Sequence, residues 1–94
     1  MALRNTKPYY EWVDREEPSL RAKRVARSFI ADIAERPWLA PSVPIAELSL
    51  QPQYEVRSAL LAVRGESPIQ IWYRHEYATG DVDLIDMTSL LPLA

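Results

Sequence analysis

The stretch Val56-Arg57-Ser58-Ala59-Leu60-Leu61-Ala62-Val63 decides how the rest of the chain is read. Val56, Ala59, Leu60 and Val63 recur at helical spacing, and Ala59-Leu60-Leu61-Ala62 are strong helix formers. That pattern predicts a short helix over residues 52–64, opened by Pro52 and closed by Gly65. Gln53, Arg57, Ser58 and Arg64 lie off its apolar stripe, free to meet something outside the protein. Upstream, Pro44-Ile45-Ala46-Glu47-Leu48 predicts another short helix, with Ser49 to Gln51 as the turn between the two.

Downstream of Ser67-Pro68 the period changes from 3.6 to 2. Ile69, Ile71, Tyr73, His75 and Tyr77 fall on one face, and Gln70, Trp72, Arg74 and Glu76 on the other. Two strands are expected, Ile69 to Tyr77 and Val82 to Met87, around a tight turn at Thr79-Gly80. The expected register sets Val82 opposite Tyr77, Leu84 opposite His75, Trp72 opposite Met87 and Arg74 opposite Ile85. It also sets Glu76 against Asp83, an unfavourable like-charge pair.

Toward the N-terminus, Ala22, Val25, Ala26, Phe29, Ile30, Ile33 and Ala34 trace one continuous apolar stripe. Pro18 suits the first turn of that helix and Pro37 stops it, so a helix is predicted over Pro18–Arg36. Its polar side carries Arg21, Lys23, Arg24 and Arg27, four bases without an acid. Residues 1–17 read as an arm ahead of the domain at 18–94. Tyr9, Tyr10, Trp12 and Val13 are too apolar for a free tail. The arm is expected to lie on its own domain, to form a short edge strand over Tyr9 to Val13, or to dock on a dimer partner, since aromatic residues are enriched at interface cores. Trp38 to Val43 is a proline-bracketed loop whose Trp38 and Leu39 are expected to fold back onto the core. Thr88 to Ala94 is a short apolar tail.

The bulk numbers bound the function. Ninety-four residues make one domain, and 48% hydrophobic with 26% charged is the composition of an ordinary globule. There is no cysteine and one histidine, which excludes disulfides, thiolate chemistry and a Cys/His zinc site. No apolar run approaches the roughly 20 residues of a membrane span. Met1 to Pro8 has no apolar core of a secretory signal, so the cytoplasm is the expected compartment. The net charge of −2 counts against a simple nucleic-acid reading, although Arg21 to Arg27 can form a basic face. No glycine-rich phosphate loop or serine with a plausible base is present, and no cofactor, metal or catalytic residue is expected. His75, Glu76, Asp81 and Asp83 gather around the turn, a weak cation signal without further donors.

Helix, turn, helix and hairpin, with Ile45-Ala46-Glu47-Leu48 in the second helix and Val56, Ala59-Leu60 and Val63 in the third, resembles the winged helix-turn-helix superfamily over residues 20–87. The resemblance implies an α+β fold of three helices followed by a two-stranded β-hairpin wing. It also implies duplex DNA as partner, read by the helix at residues 52–64 in the major groove. Gln53 and Arg57 then reach base edges, Tyr54 and Ser58 add base or phosphate contacts, and Arg24, Arg27 and Arg74 sit on phosphates. This makes the chain a dimeric transcriptional regulator or accessory factor. The tip Ala78-Thr79-Gly80-Asp81, however, holds no lysine or arginine.

Two other readings stand beside it. A protein-interaction module would use Tyr9, Tyr10 and Trp12 of the arm and a hairpin contact surface of Trp72 alongside Tyr73 and Tyr77. If residues 54–63 form a strand instead of a helix, then Tyr54-Glu55-Val56-Arg57, Ile71-Trp72-Tyr73-Arg74 and Val82–Asp86 after a helix resemble the small metal-independent ribonuclease toxins of toxin–antitoxin pairs. Arg57, Arg74 and His75 are the residues such a role would recruit by general acid–base chemistry.

Overall fold

A computed structural model describes residues 3–39, 41–48 and 52–90, the side chain of Glu47 excepted. The elements follow the chain as β1 (Leu3–Asn5), α1 (Lys7–Glu16), α2 (Leu20–Glu35), β2 (Val43–Pro44), a 3-10 turn (Ala46–Leu48), β3 (Tyr54–Leu61), β4 (Ile69–Glu76) and β5 (Val82–Ser89). The strands form one mixed sheet in the order β1-β5-β4-β3-β2. β1 runs parallel to β5, and the other pairings are antiparallel.

This architecture replaces the winged helix-turn-helix. The fold is α+β, but among the described residues it has two α-helices and a five-stranded sheet, not three helices and a wing. The decisive change is at residues 54–61, which form β3 and not a recognition helix. Val56, Arg57, Ser58 and Ala59 are all buried, so the middle of the segment is covered on both faces and its apolar run fits either period. Eight paired positions with β4, from Tyr54↔Glu76 to Leu61↔Ile69, decide the matter. Ala59, Leu61 and Val63 enter the core beside Ile69, Ile71 and Tyr73. Packing of that extent outweighs the helix propensity of four residues. The helix expected at Pro44–Leu48 is likewise a two-residue strand and one 3-10 turn. Its expected turn, Ser49 to Gln51, lies outside the described residues.

Helix α2 follows from its apolar stripe. Ser19 caps it, accepting from the Ala22 amide at 3.0 Å, while its hydroxyl donates to Glu66 at 2.6 Å. The segment expected as an arm or edge strand is helix α1, with Pro8 in its first turn. Tyr9 and Trp12 are buried by the domain itself. The Trp12 indole donates to Ser89 Oγ at 3.1 Å, Arg15 donates to the Met87 carbonyl at 2.7 Å, and the Glu16 carboxylate accepts from the Ser89 amide. These bonds fix α1 along the end of β5. Glu17 closes the helix in the left-handed region, at φ 46°.

Both helices lie on one face of the sheet. Tyr9, Trp12, Ala22, Ala26, Phe29, Ile30 and Ile33 meet Ala59, Leu61, Ile69, Ile71, Tyr73, Val82, Leu84 and Met87 in a single core. The alternation along β4 matches its period-2 pattern, odd positions buried and even positions half-buried. The hairpin register differs from the expected one. His75 pairs with Val82, Arg74 with Asp83 and Tyr73 with Leu84, and then a bulge shifts the ladder so that Trp72 pairs with Asp86. The expected clash of Glu76 with Asp83 is thereby replaced by the favourable pair Arg74–Asp83. Trp38, expected on the core, is 61% exposed, whereas Leu39 packs against it.

Candidate functional site

Alternation on β3 and β4 brings Glu55 and Arg57 to the same face as Tyr73 and His75, with Glu55 directly across from His75 and Arg57 across from Tyr73. They collect at the end of the sheet covered by the segment that follows α2. Tyr73 lies wholly inside, and its hydroxyl donates to the Pro37 carbonyl. Arg57, though charged, is buried and fully used: Nε donates to Ser42 Oγ at 3.0 Å, one terminal nitrogen to the Ser42 carbonyl at 3.1 Å and the other to Glu55 Oε1 at 3.0 Å. Ser42 Oγ in turn donates to the Leu39 carbonyl at 2.6 Å. This chain of bonds meets the requirement that a buried cation be paired and hydrogen-bonded.

Glu55 is the centre of the group. Its Oε1 receives Arg57 and lies 3.5 Å from His75 Nδ1, and its Oε2 accepts from the Tyr77 hydroxyl at 3.3 Å. His75 is 8% exposed, and its Nδ1 is buried without a hydrogen bond of its own. The Tyr77 ring stands edge-on to the imidazole at 5.4 Å, and Trp38 lies 6.4 Å away. Both rings are more than half exposed and form the rim. Burial pushes the Tyr73 phenol above its ordinary value, against the pull of Ser42 and Arg57. The Tyr77 phenol is also raised, by desolvation and by the neighbouring Glu55 charge.

The duplex-binding set is not assembled. Arg57 faces the helix layer and Ser58 the opposite side. Gln53 is exposed in the turn before β3, and Tyr54 lies under the Arg74 guanidinium at 5.1 Å. Arg24 and Arg27 are exposed on α2, while Arg74 is on the far face of the sheet, paired with Asp83 at 2.9 Å. Of the trio Arg57, Arg74 and His75, the first and last come together and Arg74 does not. The acids near the turn do not enclose a cation site: Glu76, Asp81 and Asp83 gather around Arg4 at 2.5–3.3 Å, and His75 lies on the other face. Among the described residues no group of three or more His, Cys, Asp or Glu side chains is placed to hold a metal ion. Of the expected partner-binding aromatics, Tyr9 and Trp12 are core, Tyr10 is exposed and Trp72 is half-buried on the helix-free face.

Comparison with family models, curated proteins and solved structures returns no match.

Sequence reasoning missed Glu55, Ser42 and Trp38, and it set Tyr73 and Tyr77 beside Trp72 on a contact surface, whereas Tyr73 is buried and Tyr77 joins Glu55 on the face opposite Trp72. Glu55-Val56-Arg57 carried a signal, because an acid and a base two apart share a face only in a strand. Among the described residues no helix is long and apolar enough to cross a membrane.

Proposed function

We propose that the chain is a metal-independent ribonuclease of the toxin type, acting through the carboxylate–imidazole–phenol group at the end of β3 and β4. The observation that carries this reading is the convergence of Glu55, His75 and Tyr77, the imidazole lying buried beneath the exposed rim of Tyr77 and Trp38, with Arg57 behind them. The strand at Tyr54–Leu61, on which the toxin resemblance depended, supports it further. The helix required to read duplex DNA is that same strand.

The chemistry needs only groups of this chain. A nucleotide base stacks on Trp38, a sequence-tolerant contact worth about 1–3 kcal/mol. The ribose 2′-hydroxyl attacks the adjacent phosphorus, and the bond from phosphorus to the 5′-oxygen breaks. His75 takes the 2′ proton, while Tyr77, held protonated, returns a proton to the leaving 5′-oxygen. The products are a 2′,3′-cyclic phosphate and a 5′-hydroxyl end. Glu55 faces and orients the imidazole, and Arg57 is a positioning residue that holds Glu55. With a net charge of −2 the chain offers a polyanion little general attraction, so recognition falls to stacking.

The test is incubation of the purified chain with single-stranded RNA in excess EDTA, with fragment ends read by mass spectrometry. Cyclic-phosphate ends are expected, and His75→Gln and Tyr77→Phe are expected to lower the rate by about 10²-fold or more. Absence of cleavage by the folded wild-type chain, or equal cleavage by His75→Gln, overturns the reading.

A further inference from the structure

We infer that the helix-free face of the sheet is the docking surface for a basic amphipathic helix of a partner protein. This inference stands on the opposite face from the Glu55–His75 group and does not depend on it. Val56 forms the floor of a groove walled by Leu48, Trp72, Ile85 and Asp86. Leu48 and Ile85 are each about half exposed, and Leu60 on the same face of β3 is exposed as well. The bulge in β5 makes the groove: it inserts Ile85 between Leu84, paired with Tyr73, and Asp86, paired with Trp72. Bulges of this kind re-aim side chains and recur beside binding sites.

Charge identifies the occupant. The Asp86 carboxylate makes no hydrogen bond or ion pair among the described residues, although it borders the apolar groove. Along the same face, Glu76, Asp81 and Asp83 share the two guanidiniums of Arg4 and Arg74. With Asp86 the described side chains of this face hold four carboxylates against two guanidiniums. A second copy docked face to face would oppose two acidic surfaces and leave both Asp86 groups unpaired, which disfavours self-association. A partner with lysine or arginine beside its apolar residues supplies what is missing. The sheet already packs helices on its other face, and a helix on this one completes a three-layer arrangement with its i, i+3, i+4, i+7 residues in the groove.

The experiment uses the full chain and two fluorescent peptides that share one apolar helical stripe, one flanked by lysines and the other by glutamates. Anisotropy is expected to show the lysine peptide binding at least about tenfold more tightly. Ile85→Asp is expected to abolish its binding, and Asp86→Lys to remove or invert the preference. Both positions are exposed, and circular dichroism verifies that each variant folds. Equal binding of the two peptides, binding unaffected by Ile85→Asp, or no binding at all overturns the inference. So does a wild-type dimer in sedimentation that Ile85→Asp dissociates, since the occupant is then a second copy.

Discussion

His75 stands directly across the β3–β4 ladder from Glu55, its Nδ1 3.5 Å from the carboxylate that also receives Arg57. One carboxylate thus neutralises a buried guanidinium and faces the only imidazole in the chain. On the proposed function Glu55 serves stability and chemistry together, and the two roles separate by substitution.

Glu55→Gln leaves Arg57 with Ser42 but without its counter-charge. Because the Arg57 and Glu55 side chains are only 10% and 15% exposed, a loss of about 2 kcal/mol is expected, larger than for a surface pair. Arg57→Met should cost a similar amount. The double variant should lose less than the sum, with a coupling of about 1–2 kcal/mol in a urea-unfolding cycle. Strict additivity would show that the pair contributes nothing.

Tyr73→Phe removes the hydroxyl that ties the sheet to Pro37 after α2, leaving a buried carbonyl without that donor. A loss of about 1–3 kcal/mol is expected in thermal unfolding. The phenol ionises later in the native chain than in the unfolded one, because burial raises it. Stability should therefore fall as pH rises past about 10, where the unfolded tyrosine titrates. Tyr73→Phe should flatten that alkaline decline.

Acid acts through two other carboxylates. Burial pushes Asp83 upward, but hydrogen bonds and charge from Arg4 and Arg74 prevail and hold it below the ordinary range. Glu16 is likewise lowered, since the Ser89 amide and Arg15 overcome its partial burial. Each contribution is complete above the unfolded value of about 4 and is lost as pH falls through the folded value. Denaturant midpoints from pH 6 to 3 should fall, and Asp83→Asn and Glu16→Gln should each make that fall shallower. An unchanged slope in both variants would assign acid unfolding to other groups.

Trp12 tests the placement of α1. It is fully buried and bonded to Ser89, so Trp12→Ala should cost about 3–5 kcal/mol, while Trp12→Phe loses the indole bond and some volume, about 1–2 kcal/mol. A mobile arm would show neither loss in equilibrium unfolding.

The legible parts of the fold were those where one period ruled. Helix α2 announced itself through seven apolar positions at helical spacing, and β4 through strict alternation from Ile69 onward. The β3 segment was not legible locally, because a strand buried on both faces loses its alternation and Ala59-Leu60-Leu61-Ala62 favours a helix in isolation. Helix α1 was obscured by its composition, since tyrosine, tryptophan and valine suit a strand equally well. The site suffered from the same misreading. Arg57 and His75 were singled out, but Glu55 joins them only when 54–61 is extended. Arg74, adjacent to His75 in sequence, falls on the opposite face for the same reason.

The pairing of Glu55 with His75 requires residues 54–61 to run as a strand beside β4. The most direct measurement is therefore a nuclear Overhauser spectrum of the labelled chain. The Ile45 amide donates to the Val56 carbonyl, so Val56 and Ser58 present their backbone hydrogen bonds to β2 and are non-bonded pairs toward β4. Close Hα–Hα contacts are expected between Val56 and Arg74 and between Ser58 and Trp72. Sequential amide contacts with Hα-to-amide i, i+3 contacts across 56–63 would instead restore the helix and separate Glu55 from His75.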